Sequence, residues 1–135
     1  MVYIREFTIR TGRDSYDIIT SEISKAIEES RILNGIAIVE SADQSVGILK
    51  IAGFSSEILD DLNREMRRLV PARINFKNQD SPENTAGRIK GSFFGSSVSL
   101  IVRDGKLLCD GRQDICFADY DGPQVRTYAV CVYGE

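Results

Sequence analysis

The chain has 135 residues, of which 42% are hydrophobic and 27% charged, with a formal net charge of −3 at pH 7. This composition is ordinary for a globular fold, and it provides no broad basic surface of the kind that binds nucleic acid. No apolar run approaches the roughly 20 residues that a membrane-spanning helix requires, and no secretory leader pattern opens the sequence. We therefore expect a single cytoplasmic domain over residues 1–135, with neither a membrane nor a nucleic acid as partner.

The chain contains no histidine, and this absence excludes more kinds of catalytic and metal site than any other feature of the composition. Histidine is the commonest acid/base group near neutral pH and the commonest metal ligand. The three cysteines, Cys109, Cys116 and Cys131, are odd in number and lack C-x-x-C spacing, so we expect reduced thiols. No Ser-His or Cys-His catalytic arrangement can form, and the sequence indicates neither a metal site nor a cofactor.

The first third of the chain combines strand patterns with one helix. Thr20 is expected to cap a helix that ends at Asn34-Gly35 and buries one apolar face. The continuous apolar run 35–39 predicts a strand that is buried on both faces. Glu40 and Asp43 follow in the loop 40–45, either as acid/base groups or as a solvated turn. The strands predicted here cover residues 3–11, 16–19, 35–39 and 47–51.

A second helix is predicted over residues 56–69. Ser55 or Ser56 can cap it, acidic residues open it, and Arg64, Arg67 and Arg68 close it. That charge order complements the helix dipole, so we interpret the arginines as a solvated helix end rather than as a ligand site.

The pattern after Pro71 is typical of strands. Asp104-Gly105 and Asp121-Gly122-Pro123 are turn signals between apolar runs. The fold class predicted is α+β, with mostly antiparallel β-sheets and two interspersed helices. The strands predicted in this half cover residues 72–76, 97–102, 106–109, 115–118 and 125–133.

A possible anion site lies in the polar segment 87–92. If this segment is extended, Arg88 and Lys90 share one face and Ser92 follows them. Two cations and a hydroxyl beside glycines could hold a phosphate through charge-assisted hydrogen bonds, and a solvent-facing strand edge is the alternative. Arg112 and Gln113, between two later strands, either add to this site or form a simple hairpin loop.

In order and spacing, the segments resemble the YjbQ family, which is also known as the secondary thiamine-phosphate synthase family. The resemblance covers nearly the whole chain. It is carried by Ser45-Val46-Gly47-Ile48, Leu69-Val70-Pro71, Arg88-Ile89-Lys90-Gly91-Ser92-Phe93-Phe94-Gly95, Ser97-Val98-Ser99-Leu100-Ile101-Val102, Gly105-Lys106-Leu107, Gln113-Asp114-Ile115, Asp121-Gly122-Pro123 and the closing Gly134-Glu135.

The resemblance implies a compact α+β homotrimer, weak thiamine-phosphate synthase activity in some members, and a site for a phosphate-bearing small molecule. The family's histidine positions fall on Asp43, Asn78 and Arg88, whereas Lys90, Ser92 and Gln113 match the family. If those positions converge in space, Asp43 and Arg88 are expected to form an ion pair.

Two functions follow from the retained and the replaced residues. The first is a catalytically degenerate homotrimeric paralogue, which the lost histidines favour. The alternative is a phosphate-ester-binding transferase related to thiamine-phosphate synthase, using Arg88, Lys90, Ser92, Arg112 and Gln113, because phosphoryl chemistry rests largely on electrostatic positioning.

Overall fold

The structure, a computed structural model, describes residues 1–53, 55–108 and 111–135. The described chain is α+β, as the sequence predicts. Its elements are β1 (Val2–Arg10), β2 (Ser15–Ile18), α1 (Thr20–Ser30), β3 (Gly35–Glu40), β4 (Val46–Ile51), α2 (Ser56–Leu69), α3 (Pro82–Phe94), β5 (Ser97–Arg103), β6 (Lys106–Leu107), β7 (Asp114–Asp119) and β8 (Val125–Gly134).

The strands form two antiparallel sheets. The larger sheet has the order β1-β8-β3-β5-β6, and the smaller has the order β2-β7-β4. All described strand pairs are antiparallel, which confirms that part of the prediction. None of the helices in the described ranges has the length and apolarity that crossing a bilayer requires.

Helix α1 covers the core. Ile23, Ala26 and Ile27 are buried on its inner face, as the spacing predicts, and they pack with inward residues of both sheets. Full burial of one such aliphatic side chain contributes about 1.5–3 kcal/mol, so this cluster supplies much of the driving force for folding. The expected cap is wrong, because Ile19 holds the N-cap position, while the Thr20 hydroxyl lies 2.8 Å from the Asp114 carboxylate and accepts a hydrogen bond from the Ile115 N–H.

Strand β3 is buried on one face only, contrary to the expectation of burial on both. Ala37 and Val39 are fully buried, whereas Ile36 and Ile38 point outward and are exposed. The outer face of β3 also carries apolar residues, so the sequence reads as a continuous apolar run. In the described chain no other element covers that face.

Helix α2 matches its predicted bounds. Ser55 caps it by accepting a hydrogen bond from the Ile58 N–H at 3.1 Å. Arg67 reaches beyond the helix to Asp14 in the loop between β1 and β2, with Nη2 and Oδ2 3.0 Å apart. This contact adds a tertiary ion pair to the helix-end role expected from the sequence.

Helix α3 was not predicted, so the described chain has three helices rather than two. Ser81 caps it by accepting from the Asn84 N–H, and Pro82 occupies its first turn. Glycine has poor helix propensity, which made an extended conformation the expectation for this segment. In the structure, Gly87 and Gly91 allow the helix to lie against the start of β4 and the residues just before it. A Cβ on Gly91 would stand 3.0 Å from the Gln44 carbonyl oxygen.

Two predicted strands differ from the structure. Residues 72–76 form no strand, because no neighbouring strand pairs with them. The strand expected over 106–109 is short, ending at Leu107, and Cys109 lies outside the described residues.

Candidate functional site

The helical conformation of residues 82–94 separates the residues that were expected to share one strand face. Arg88 and Ser92 are four residues apart and lie on the same side of α3, where the Ser92 hydroxyl donates to the Arg88 carbonyl at 2.9 Å. Lys90 lies about 200° around the helix from Arg88 and faces the opposite side. The expectation of one shared face for Arg88, Lys90 and Ser92 is therefore wrong.

Arg88 and Ser92 line an exposed cleft of about 550 Å³, together with Asn78. The Arg88 guanidinium is paired with Asp80 at 3.0 Å, and the Asn78 side-chain oxygen accepts from the Asp80 N–H at 2.7 Å. Because this pair is largely solvated, it leaves Arg88 with weak attraction for a further anion. Asn78 and Arg88, two of the three positions at which the family resemblance implies a histidine, thus line the same cleft.

Asp43 does not pair with Arg88, so that expectation is wrong. Its carboxylate accepts from the Thr127 N–H at 3.2 Å and lies 3.4 Å from the Ser41 hydroxyl. These contacts tie the β3–β4 loop to strand β8, which gives Asp43 a structural role.

Lys90 lines a separate pocket of about 290 Å³, which we call the Lys90 pocket. Its polar lining consists of Asp14 from the β1–β2 loop, Arg67 from α2, Glu83 and Lys90 from α3, and Tyr120 after β7. The pocket thus brings together residues from four separated parts of the chain. Of these only Lys90 was identified from the sequence as a site residue.

The Lys90 side chain is largely buried, and within the described residues its ammonium group makes no ion pair. The residue is 5% exposed, and its Nζ lies 5.4 Å from the centre of the Tyr120 ring. Within the described residues it makes no ion pair or hydrogen bond, since Asp14 is engaged with Arg67. Burial lowers the pKa of Lys90; attraction to Asp14 opposes this shift, and repulsion from Arg67 adds to it.

Tyr120 forms the floor of this pocket by packing against bare backbone. Its hydroxyl is buried with no hydrogen-bond partner, and burial raises its pKa. A Cβ on Gly47 would stand 2.5 Å from that oxygen, so only glycine leaves room for the ring in this position.

A buried ionic cluster was missed entirely by the sequence analysis. Asp119 is 0% exposed and Arg126 is 8% exposed. The two are joined by hydrogen bonds from Arg126 Nε and Nη2, at 2.9 and 3.0 Å, while Nη2 also donates to the Ser45 hydroxyl and Thr11 donates to Asp119. The available signal was a charge at a buried position of each strand: Asp119 ends the apolar run of β7, and Arg126 lies at an inward position of the alternating strand β8.

The hydrogen bonds decide the charge state of this cluster. Burial by itself raises the pKa of Asp119, but donors from Arg126, Thr11 and the Asp121 N–H outweigh it and hold the pKa below its usual value. The carboxylate therefore stays ionised and satisfied. Since the Asp119 carboxylate is held by donors from Arg126, Thr11 and Asp121, the cluster braces β7 against β8.

Arg112 and Gln113 lie just before β7. Gln113 lines a surface depression of about 590 Å³ with Lys106 and Asp114. Among the described residues, neither Arg112 nor Gln113 lines the Lys90 pocket or the Arg88 cleft. The structure thus does not bring the five sequence-selected residues into one site.

Comparison with known proteins places this fold in a family. Residues 5–135 match the family model described as UPF0047 protein YjbQ-like. A UPF0047 protein of Methanocaldococcus jannaschii is 31% identical over 131 residues, covering 96% of this chain and 94% of that protein. A UPF0047 protein of Methanothermobacter thermautotrophicus is 31% identical over 135 residues, covering 99% and 94%.

Solved structures show the same fold. A YjbQ/UPF0047 family protein of Clostridium acetobutylicum superposes with a TM-score of 0.90 at 28% identity, covering 96% of this chain and 99% of that chain. A protein of unknown function from Sulfolobus solfataricus superposes with a TM-score of 0.94 at 24% identity, covering 100% and 99%. With the family model matched across almost the whole chain, this protein belongs to the YjbQ/UPF0047 family.

Proposed function

We propose that this chain is a cytoplasmic, homotrimeric and catalytically degenerate YjbQ-family protein, built as one domain, that binds a small phosphate-bearing anion in the Lys90 pocket. The observation that carries the proposal is the largely buried Lys90 side chain, which lines the pocket and makes no ion pair within the described residues. An anion that enters this partly desolvated pocket gains both Coulomb attraction and a charge-assisted hydrogen bond.

The lining of the pocket holds two cations, Arg67 and Lys90, and two carboxylates, Asp14 and Glu83, so it suits one small anion at most. Asp14 already neutralises Arg67, whose guanidinium is half-exposed and binds Asp14 through Nη2, which leaves it further N–H donors. The pocket volume of about 290 Å³ is at the lower limit of ordinary ligand sites, which suits a ligand of few heavy atoms. By contrast, the Arg88 cleft offers a cation that Asp80 has already paired.

Degeneracy is supported by what occupies the family's histidine positions. Asp43, Asn78 and Arg88 cannot replace imidazole as a proton relay, because none of these side-chain types titrates near neutral pH without a large pKa shift. In addition, the side chains of Asp43 and Arg88 are each engaged in local polar contacts. The scaffold is retained while the relay groups are lost.

Self-association is supported by the outer face of the larger sheet. Register aligns Val2, Tyr133, Ile36 and Ile101 in one cross-strand row, and Ile4, Cys131 and Ile38 in the next. Ile4 is 62% exposed and Tyr133 is 58% exposed. A contiguous apolar face across four strands is typical of an interface, and a second and third copy would bury it.

A transferase related to thiamine-phosphate synthase is the second candidate function. It is favoured by the presence of two cations, Arg67 and Lys90, in one pocket, because a pyrophosphate leaving group is stabilised by positioned cations. Incubation of the trimer with the pyrimidine pyrophosphate and the thiazole phosphate, followed by chromatography, separates the two functions. We expect no thiamine phosphate, and steady turnover would replace the degenerate assignment with this one.

Anion binding is tested by thermal denaturation with inorganic phosphate and pyrophosphate. A ligand that binds only the native state stabilises it in proportion to RT ln(1 + [L]/Kd), so Tm should rise with concentration. Lys90→Met should abolish the rise, whereas the matched variant Lys106→Met, at an exposed strand position, should retain it. If Arg88→Ala abolishes the rise and Lys90→Met does not, the anion binds in the Arg88 cleft and the proposal is wrong.

A further inference from the structure

We propose that Lys90 captures a small aldehyde or ketone bearing an anionic group by forming an imine in the Lys90 pocket. The inference rests on the proposed anion site, and it names the ligand class of that site. It makes the pocket a covalent, reversible trap for a carbonyl compound rather than a simple electrostatic receptor.

The geometry provides an amine that no carboxylate or hydrogen-bond partner holds. Lys90 is 95% inaccessible, yet its side chain lines a cavity, and among the described residues its amine has neither a hydrogen bond nor an ion pair. Its described contact is with the face of the Tyr120 ring, and the Arg67 guanidinium lines the same pocket. A largely desolvated lysine beside another cation is the arrangement that imine-forming lysines use.

Burial and the neighbouring charges together favour the neutral amine of Lys90 more than water does. Asp14, Arg67, Glu83 and Tyr120 face the amine from the four chain segments that form the pocket. Burial lowers the pKa of Lys90, the Arg67 guanidinium lowers it further, and Asp14 only partly restores it. Each unit by which an amine pKa falls raises the neutral fraction about tenfold while the pKa remains above the ambient pH.

The reaction balances without an added oxidant or reductant. The Lys90 ammonium first releases one proton to solvent, and the amine nitrogen then bonds to the carbonyl carbon, whose oxygen takes up a proton. The resulting carbinolamine loses that oxygen as water, with the second nitrogen proton, to leave the C=N bond. Arg67 lines the same pocket, and the N–H donors that Asp14 does not use can hold the phosphate or carboxylate of the ligand.

The pocket excludes large ligands. A volume of about 290 Å³ accommodates a carbonyl compound with a short carbon chain and one phosphate, but not a nucleotide. Glycolaldehyde phosphate combines both required groups in a minimal molecule. Glycolaldehyde, which has the same carbonyl group without the phosphate, is the matched control.

The test is reductive trapping. The wild-type protein is incubated at pH 7 with glycolaldehyde phosphate and cyanoborohydride, which reduces the imine to a stable secondary amine, and labelled peptides are quantified by mass spectrometry. We expect the main adduct at Lys90, formed about tenfold faster than adducts at the exposed Lys50 and Lys106, because the lowered pKa and the bound phosphate both favour reaction there. Inorganic phosphate should suppress labelling at Lys90 and leave Lys50 unaffected.

The outcomes separate this inference from the proposed anion site. If phosphate raises Tm through Lys90 but trapping labels only surface lysines, the anion site stands and the imine inference is wrong. Equal labelling of Lys90 by glycolaldehyde and by its phosphate also overturns it, because the anionic group then plays no part. Lys90→Arg, which keeps the charge but cannot form an imine, should give no adduct in the pocket, and if this variant fails to fold, phosphate suppression of labelling in the wild-type protein decides the question. Absence of both effects contradicts the two proposals together.

Discussion

Asp119 and Lys90 are both largely buried ionisable residues, but they differ in the polar contacts that their charged groups make. Asp119 receives donors from Arg126, from Thr11 and from a backbone N–H. Among the described residues, the Lys90 ammonium group has the face of the Tyr120 ring at 5.4 Å and no ion pair. A satisfied buried ion pair contributes little net stability but is costly to break. Partial burial of a cation without an ion pair instead lowers the stability of the fold while the group is charged.

Breaking the Asp119–Arg126 pair is expected to be costly. Asp119→Ala should lower the free energy of unfolding by about 3–5 kcal/mol, since the Arg126 guanidinium would remain buried and unpaired. Arg126→Met should have a similar effect, and the double variant should lose clearly less than the sum. Urea denaturation of the four proteins measures the coupling, and strictly additive losses would contradict a direct interaction.

The same carboxylate makes the fold sensitive to acid. The folded-state pKa of Asp119 lies below its unfolded value, so its stabilising contribution is complete above the unfolded pKa of about 3.9 and is lost as the pH falls through the folded value. Denaturant midpoints measured from pH 6 down to pH 2 should fall more steeply for the wild type than for Asp119→Asn. Parallel profiles would contradict this assignment.

Lys90 should have the opposite effect on stability. Its folded-state pKa lies below the unfolded value, so the folded protein binds fewer protons between the two, and stability rises with pH across that interval. Lys90→Met should therefore unfold at higher denaturant concentration than the wild type at pH 7, with the difference shrinking toward pH 10. The exposed Lys106→Met provides the control, and a constant difference across this range would show that charge is not the cause.

At the scale of elements, helix α3 decides which of the retained family residues can act together. Because residues 82–94 form a helix and not a strand, Lys90 lies on the side of α3 opposite to Arg88 and Ser92 and contacts Tyr120. The glycines at 87 and 91 have poor helix propensity, and their small size is used instead for contact with β4. Tertiary packing thus overrides local preference in this segment.

A side chain at position 91 should separate α3 from β4. In Gly91→Ala the new Cβ would stand 3.0 Å from the Gln44 carbonyl oxygen and 3.1 Å from that of Val46, and backbone atoms cannot easily yield. We expect a loss of about 1–3 kcal/mol from overpacking, despite the higher helix propensity of alanine. Ser92→Ala, at an exposed position one residue further along, should stay within about 0.5 kcal/mol. A stabilised Gly91→Ala protein, measured by thermal unfolding, would show that the contact is loose.

Sequence reasoning succeeds here where one periodicity dominates. The bounds and cap of α2, the buried face of α1, the Asp104-Gly105 turn and the antiparallel α+β class follow from local patterns, and the structure confirms them. The Lys90 pocket could not be predicted in this way, because its lining residues Asp14, Arg67 and Tyr120 are far apart in sequence and only the tertiary fold brings them together. The Asp119–Arg126 pair was inaccessible for a similar reason, since its register depends on how β7 and β8 are placed in different sheets.

For the whole molecule, the uncovered apolar face of the larger sheet sets the expected assembly. Ile36→Asp would place a carboxylate between Tyr133 and Ile101 in this cross-strand row, so it should dissociate the proposed trimer to monomers. Sedimentation velocity at micromolar concentration measures this. Ile74→Asp is the matched control, since Ile74 is 96% exposed outside any strand and should leave the assembly intact. A wild-type protein that sediments only as a monomer would contradict the proposed trimer.

The order of strands in the larger sheet has a consequence for protein synthesis. β8, the last strand of the fold, lies between β1 and β3, and Val2 at the start of β1 is paired with Tyr133. At translation rates of about 5–20 residues per second, β1 waits on the order of ten seconds after its own synthesis before its partner strand exists. During that interval the apolar surface destined for the core is open, so nascent chains that stall before β8 should depend on chaperones and aggregate without them. Ribosome stalling just before β8 would thus prolong the interval in which the nascent chain exposes this apolar surface and can aggregate.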